Sequence, residues 1–149
     1  MIIVIATDEE LQLVERLGYK NNPVLITGVG AINVINALKH LPKDTPILNI
    51  GYCGSNKYEV GKKVMIGQVK TYHENVSFDE KFIACTIDGG WEIAKCYTST
   101  DFVLETKIKE PCVFDMELAY IRAMFDSVKS IKVVSDNLNV EDYEKNIKK

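Results

Sequence analysis

Closely spaced metal-binding and nucleophile motifs are missing from this sequence of 149 residues. Its four cysteines form no Cys-x-x-Cys pair, and its two histidines, His40 and His73, stand far apart. Zinc sites use closely spaced ligand pairs, so we expect no metal site and cysteines that remain buried, reduced thiols. The sequence also has no Gly-x-x-x-x-Gly-Lys-Ser/Thr loop and no Gly-x-Ser-x-Gly elbow, which excludes P-loop and α/β-hydrolase sites.

Positive charge and long apolar runs are also scarce. The net charge is −3, and basic residues cluster only at the tail, at Lys145, Lys148 and Lys149. This balance gives no support for a nucleic-acid partner. The first apolar run, residues 2–6, follows no positive segment and is too short for a signal peptide or a membrane span. We therefore expect no membrane partner and, by default, a cytoplasmic location.

The composition and patterning predict one α/β domain over residues 1–149. Hydrophobic residues make up 46% of the chain and charged residues 26%, which is typical of a globular protein. Short apolar runs alternate with helical patterns, which predicts a mainly parallel or mixed sheet covered by helices on both faces. The segment 60–72 alternates irregularly, which indicates a bent or bulged strand. Strands are predicted at 2–6, 24–27, 46–51, 60–72, 92–98 and 131–135, and helices at 8–17, 33–41, 116–128 and from about 140, with an irregular segment at 73–92.

Glycines, hydroxyls and carboxylates follow the predicted strands. Ligands of such sheets bind beyond the carboxyl ends of the strands, so these residues are expected to meet at one binding rim. They are found at 8–10, 28–30, 51–55, 99–102 and 135–137.

The turn after the second strand, Gly28-Val29-Gly30, matches only the beginning of a dinucleotide fingerprint. Asn33 stands where the third glycine would be, and Gly51 stands where an acidic residue would hold a ribose hydroxyl. A tight strand-to-helix turn is favoured, with amides that face an anion or a hydroxyl. We accordingly expect no cofactor, and a Rossmann-like dinucleotide binder is the weakest alternative.

Two acids surround Met116 at a predicted helix start. Asp115 suits an N-cap, and Glu117 in the first turn would oppose the helix dipole. From these residues alone a purely structural role is favoured for both acids. Whether either acid also binds a ligand depends on the motifs in the rest of the chain.

Taken together, the motifs resemble the nucleoside phosphorylase family, and within it the methylthioadenosine/S-adenosylhomocysteine nucleosidases. The resemblance runs from Met1 to about Asn139 and implies a three-layer nucleoside phosphorylase-like fold. The matching segments occur in the family's order: an acidic turn after the first strand (1–13), a Gly-x-Gly turn (25–38), an Asn-x-Gly-x-x-Gly loop (47–55), a Val-Gly segment and strand (59–74), an Asp-Phe segment (98–103), a Met-Glu motif (113–121) and a Ser-Asp pair (132–137).

The resemblance implies cleavage of the N-glycosidic bond of a purine nucleoside. Asp136 would protonate the base at N7, and Glu10 would activate the attacking water. Glu117 and Met116 would hold the ribose, while Phe102 would stack on the base and Val103 would bond it through its backbone. The catalytic residues implied are thus Asp136 and Glu10, and the substrate-binding residues are Glu117, Met116, Phe102, Val103, Ser135, Gly54 and Cys53.

The sequence leaves the acceptor and the activity open. Arg16 and Arg122 both fall in predicted helices, so no arginine clamp for phosphate is expected, which favours hydrolysis over a phosphorylase that uses lysines. Tyr52 replaces a small serine of the family, Lys132 replaces its arginine, and the chain is shorter than typical members. A nucleoside-binding protein without catalysis is therefore an alternative. The resemblance also implies a homo-oligomer, a homodimer in particular.

Overall fold

The computed structural model describes residues 1–73 and 81–147. The predicted irregular segment 73–92 lies partly outside these residues, and so do Lys148 and Lys149 of the predicted basic tail. The strands are β1 (Ile2–Ile5), β2 (Val24–Ile26), β3 (Ile47–Ser55), β4 (Lys63–Thr71), β5 (Ile83–Ala84), β6 (Ile93–Thr98), β7 (Val113–Asp115) and β8 (Val128–Asp136). The helices are α1 (Leu11–Arg16), α2 (Ala31–Leu38), α3 (Leu118–Met124) and α4 (Val140–Ile147), and a 3-10 turn at Asp8–Glu10 precedes α1.

The strands form one mixed sheet. β1 pairs in parallel with β2 and β3, β3 pairs in parallel with β8, and β6 pairs in parallel with β4 and β7. β7 pairs antiparallel with β3, and β8 and β5 pair antiparallel with β4. The strands β3, β7, β6, β4 and β8 therefore close into a ring, and β1 and β2 extend the sheet from β3.

Helices cover the sheet on opposite sides. Alternate residues of β1 point to different cores: Val4 packs with α2 and α3, whereas Ile3 and Ile5 pack with α1. Because side chains alternate along a strand, this pattern requires apolar cover on both faces of β1. The predicted α/β class, with a mixed sheet and helices on both faces, is confirmed.

Two predicted strands are longer in the structure. β3 continues through the glycine-rich segment to Ser55, because its pairing with β8 continues there and its glycines leave room for acidic side chains. A Cβ at Gly51 would lie 2.7 Å from Glu10 Oε2. β8 begins at Val128, three residues before the predicted start, because the polar Ser130 is buried there with its hydroxyl donating to Asn49 Oδ1 at 2.8 Å.

Other elements also differ from the prediction, and β4 begins at Lys63 and not at 60. Residues 113–115 form β7, and a strand this short gives no alternation in the sequence. α3 ends at Met124 and not at 128, because Phe125 already has extended backbone angles. α2 starts two residues earlier and ends three residues earlier than the predicted 33–41, so it ends well before Pro42. The predicted irregularity of β4 is confirmed by a register shift between Ile66 and Gln68.

All four cysteines, at positions 53, 85, 96 and 112, are buried free thiols. Among the described residues, none of the helices has the length and apolar character needed to cross a membrane.

Candidate active site

A cavity of about 120 Å³ lies beyond the carboxyl ends of β1, β3 and β8. These three strands run parallel, so the residues that follow them meet at one edge. The predicted rim therefore exists, and β7 adds its end from the other side of β3. Eight of the nine residues predicted for the site line this cavity: Glu10, Cys53, Gly54, Phe102, Met116, Glu117, Ser135 and Asp136.

A smaller cavity of about 40 Å³ adjoins the first and accounts for the ninth residue, Val103. Gly54, Phe102, Met116 and Asp136 line both cavities. The structure thus brings all the predicted site residues together around two adjoining cavities.

Glu10 is held by backbone amides. Its Oε1 accepts from the amides of Ala6 at 2.8 Å and Thr7 at 3.3 Å, and its Oε2 accepts from the amide of Tyr52 at 2.7 Å. Only 7% of the residue is exposed. Burial raises the pKa of Glu10, against the opposing effects of Lys132 and the amide donors. The result is a rigidly oriented carboxylate that binds a proton more readily than a free glutamate.

Asp136 is buried at the end of β8. Its Oδ1 accepts from the Ser135 hydroxyl at 2.8 Å, and its Oδ2 accepts from the Leu138 amide at 3.0 Å. Burial raises the pKa of Asp136, against these hydrogen bonds. A Cβ at Gly54 would lie 2.8 Å from Asp136 Oδ2, so only glycine fits opposite this carboxyl group.

Glu117 connects the cavity to the Gly28-Val29-Gly30 turn. Its Oε2 accepts from the Gly30 amide at 2.9 Å, and both glycines of the turn have positive φ angles, +91° and +89°. The predicted tight strand-to-helix turn is present, and its Gly30 amide faces the carboxyl group of Glu117. Burial, and then the charge of Asp115, raise the pKa of Glu117 to about 7.

Asp115 stabilises the start of α3, but the prediction that it is the N-cap was wrong, because the N-cap residue is Glu117. Its Oδ2 accepts from the Leu118 amide at 2.8 Å at the start of α3, and its Oδ1 accepts from the Thr98 hydroxyl at 2.6 Å. Its Oδ2 also lies 3.1 Å from Lys132 Nζ. Burial raises the pKa of Asp115, but Lys132 and the hydrogen bonds outweigh it, so the pKa is lowered overall.

The cavity wall includes residues that the sequence analysis did not select. Tyr143 and Ile147 of α4 line it, together with Thr7, Val29, Phe114 and Tyr52. Tyr143 meets Phe102 edge to face, with ring centroids 5.4 Å apart. The sequence did indicate a helix after the last strand of the rim, and the apolar positions of that helix were the available signal.

Carboxylates dominate the charge of the cavity. Among the described residues, its lining includes Glu10, Asp115, Glu117 and Asp136 but no lysine, arginine or histidine. Arg16 bonds Gln12 on α1, and Arg122 donates to the carbonyl oxygens of Ala84 and Phe125. No group of three or more potential metal ligands within residues 1–73 and 81–147 is arranged to hold an ion.

Tyr52 lines the cavity without closing it. Its hydroxyl accepts from Gln12 Nε2 at 2.8 Å, and its ring packs partly against the core beneath α1. Its backbone amide is the donor to Glu10 Oε2, so position 52 supports Glu10 whatever its side chain.

Comparison with solved structures places this arrangement among known folds. A variant of the nucleosidase MTAN from Chlamydia trachomatis, solved with bound MTA, is 17% identical, with a TM-score of 0.75 over 97% of this chain and 87% of that one. A putative 5′-methylthioadenosine/S-adenosylhomocysteine nucleosidase from Francisella philomiragia is 14% identical, with a TM-score of 0.73 over 99% and 91%. The chain has the nucleosidase fold.

A futalosine hydrolase mutant of Helicobacter pylori shares this nucleosidase fold, at 13% identity and a TM-score of 0.73 over 98% of this chain and 90% of that one. The chain thus spans most of the length of these solved nucleosidases, so the expectation of a chain much shorter than its relatives does not hold for them. No family model matches the sequence, and no curated protein sequence matches it significantly.

Proposed function

We propose that this protein is a nucleosidase that hydrolyses the N-glycosidic bond of a purine nucleoside. The observation that carries the proposal is a cavity, on a nucleosidase fold, lined by four carboxylates and, among the described residues, by no cationic side chain. Cleavage of an N-glycosidic bond builds positive charge on the ribose ring, and carboxylates stabilise an oxocarbenium-like transition state. Neighbouring structures solved with MTA and with adenine support a purine nucleoside as the ligand.

In the proposed reaction Asp136 is the general acid. Burial favours its protonated form, and a protonated Asp136 transfers its proton to N7 of the purine as the bond between C1′ and N9 breaks. The bonding electrons leave with the base, and the proton neutralises it. Phe102 would stack on the base, and Val103, in the adjoining cavity, would bond it through its backbone.

Glu10 is the proposed general base. Its amide donors fix its orientation, and its raised pKa brings it nearer the range in which a carboxylate both loses and accepts a proton. It accepts a proton from the attacking water while the water oxygen bonds to C1′. The reaction balances: one water is consumed, and the products are a free base and a free sugar.

Glu117 and Met116 are the proposed ribose contacts. One oxygen of Glu117 is occupied by the Gly30 amide, and the residue lines the cavity. An ionised carboxylate accepts hydrogen bonds from hydroxyls and so suits a ribose diol. Met116 offers an apolar surface beside it.

The same charge pattern favours water over phosphate as the acceptor. A phosphate dianion would enter a cavity surrounded by carboxylates, with neither arginine positioned to bind it. Lys132, the other candidate for a phosphate contact, is buried in an ion pair behind the wall. A phosphorylase that uses lysines is therefore the less favoured alternative.

A nucleoside-binding protein without catalysis is the second alternative, because the Tyr52 ring occupies part of the cavity wall. Tyr52→Ser separates the two functions. A catalytically silent wild type that gains turnover with serine would favour the binding protein.

We also propose that the protein forms a homodimer. Ile26, Val29, Ile32 and Ile35 are exposed large apolar residues on β2, the following turn and α2, and Val29 also lines the cavity. An exposed apolar patch of this kind marks an association surface. Its position would place a second copy at the mouth of the cavity.

The function is tested by incubating the protein with a panel of purine nucleosides, including 5′-methylthioadenosine, and measuring free base by chromatography with and without phosphate. We expect base release in both conditions. Strict dependence on phosphate would assign the protein to the phosphorylases, and tight binding without base release would assign it to the binding proteins.

A further inference from the structure

Lys132 is a lysine buried directly behind the cavity. It is 1% exposed, does not line the cavity, and pairs with Asp115 Oδ2 at 3.1 Å. A Cβ at Gly51 would lie 2.7 Å from Glu10 Oε2 and 3.2 Å from Lys132 Nζ, so these two charged atoms are at most about 6 Å apart. The ammonium is therefore close to both Asp115 and Glu10.

Lys132 is the positively charged residue that the buried acids Asp115, Glu10 and Glu117 share. Asp115, Glu10 and Glu117 are each at most 9% exposed, and Lys132 is the cation that acts on all of them. Removing carboxylates from water disfavours their ionised forms unless a nearby cation or hydrogen bonds compensate. A single buried ammonium is thus well placed to set the charge state of the site.

Asp115 links this charge to the geometry of α3. Its Oδ2, the oxygen paired with Lys132, also accepts from the Leu118 and Glu117 amides at 2.8 and 3.4 Å. An ionised Asp115 therefore fixes the chain at Glu117, the residue whose side chain faces the cavity. A protonated Asp115 would be a weaker acceptor for these amides.

We infer that Lys132 is a positioning residue: its charge favours the ionised forms of Asp115 and Glu10 and, through Asp115, fixes the start of α3 that presents Glu117 to the cavity. The effect on the carboxylates follows from the structure alone. The effect on turnover rests on the proposed function.

Other groups also act on these carboxylates. Amides of Ala6, Thr7 and Tyr52 lower the pKa of Glu10, and the Gly30 amide lowers that of Glu117. Asp115 and Glu10 raise the pKa of Glu117 by repulsion, and the phenols of Tyr52 on β3 and Tyr143 on α4 face the same acids. Burial lowers the pKa of Lys132 itself, but Asp115, Cys96 and the two glutamates raise it above its ordinary value, so the ammonium persists over the working pH range.

The test is a titration of the side-chain carboxyl groups by ¹³C NMR in wild type, Lys132→Met and Lys132→Arg. Lys129→Met is the matched control, because Lys129 lies on the same strand but pairs with Asp88 at the surface, 2.9 Å away. An opposite charge within 4–6 Å typically lowers a carboxyl pKa by about one to three units. We expect Lys132→Met to raise the titration midpoints of Glu10 and Glu117 by about one pH unit or more, and the other two variants to titrate like wild type. Unchanged midpoints of Glu10 and Glu117 in folded Lys132→Met would overturn the inference.

A double variant covers the case in which Lys132→Met does not fold. Replacing both members of a buried ion pair is better tolerated than replacing one, and Asp115→Asn retains an oxygen acceptor for the Leu118 amide. In Lys132→Met/Asp115→Asn, Glu117 loses one cation and one anion, so its midpoint returns towards wild type, while that of Glu10 stays raised. A Glu10 midpoint equal to wild type in this variant would also overturn the inference.

Turnover supplies a second readout. The acidic limb of kcat/KM should move to higher pH in Lys132→Met, together with the Glu10 midpoint, and should return in Lys132→Arg. A limb that stays in place while Glu10 shifts would refute the link to turnover. Absence of turnover in wild type would refute the proposed function, whereas the NMR titration would still decide the role of Lys132.

Discussion

Replacing Glu117 by glutamine should make the protein more stable at alkaline pH. The folded protein raises the pKa of Glu117 from its ordinary value of 4.5 to about 7, chiefly by burial. The folded state therefore binds the proton more tightly than the unfolded state does. The stability that this proton contributes is present below the unfolded pKa and is lost as the pH rises through 7.

The magnitude follows from the difference between the two pKa values. At about 1.4 kcal/mol per pH unit, ionising Glu117 in the folded state costs about 3 kcal/mol of unfolding free energy above pH 7. Glutamine avoids this cost and keeps an oxygen to accept from the Gly30 amide. The stability difference between Glu117→Gln and wild type should thus rise by about 3 kcal/mol in favour of the variant from pH 4 to pH 8.

Urea denaturation at a series of pH values measures this difference directly. Because both proteins share every other titrating group, subtracting the two curves leaves the titration of residue 117 and its electrostatic coupling to its charged neighbours. Glu15→Gln, on the exposed side of α1, is the matched control for removing one carboxylate from the surface. A difference curve for Glu117→Gln that stays flat between pH 4 and pH 8 would refute the reasoning from burial.

Further predictions concern the chemistry and the assembly. Asp136→Asn should keep the nucleoside affinity, measured by calorimetry, within several-fold, because asparagine still donates a hydrogen bond to N7. Its turnover should fall by roughly 10²–10⁴, because asparagine transfers no proton, and unchanged turnover would remove the general-acid role. Glu117→Gln should weaken binding and turnover together, since the ribose contact exists in both the ground and transition states, and a loss confined to kcat would contradict that role. Ile32→Glu should shift the dimer towards the monomer in sedimentation, and Leu104→Glu, at an exposed position outside the apolar patch, is the control. A wild type that is monomeric at micromolar concentration would rule out the dimer.

The polar rim was predictable because it depends on strand order and local chemistry. Residues that follow parallel strands meet at one edge, so Glu10, Gly54 and Asp136 could be grouped without knowing a single distance. A helix start beside Asp115 was equally predictable, because helix starts have local sequence signals, although the N-cap itself is Glu117.

Features that depend on distant contacts could not be predicted. The pairing of β8 with both β3 and β4 closes the ring, and nothing local in either strand specifies two partners. In the sequence, Lys132 could be recognised only as a replacement for the arginine of the family motif. That its ammonium pairs with Asp115 becomes visible only in the fold. Tyr143 belongs to the cavity wall because α4 packs back on β8; the sequence predicted the helix but not the strand against which it packs.

The most direct test of the account is the reaction of wild type and Asp136→Asn with 5′-methylthioadenosine in phosphate-free buffer, followed by mass spectrometry of the products. Hydrolysis predicts adenine and free methylthioribose in equal amounts from wild type, the same products when phosphate is added, and a rate at least about a hundredfold lower from the variant. A phosphorylated sugar on addition of phosphate, or no adenine from a wild type that binds the nucleoside, would contradict the assignment of this site to a nucleosidase.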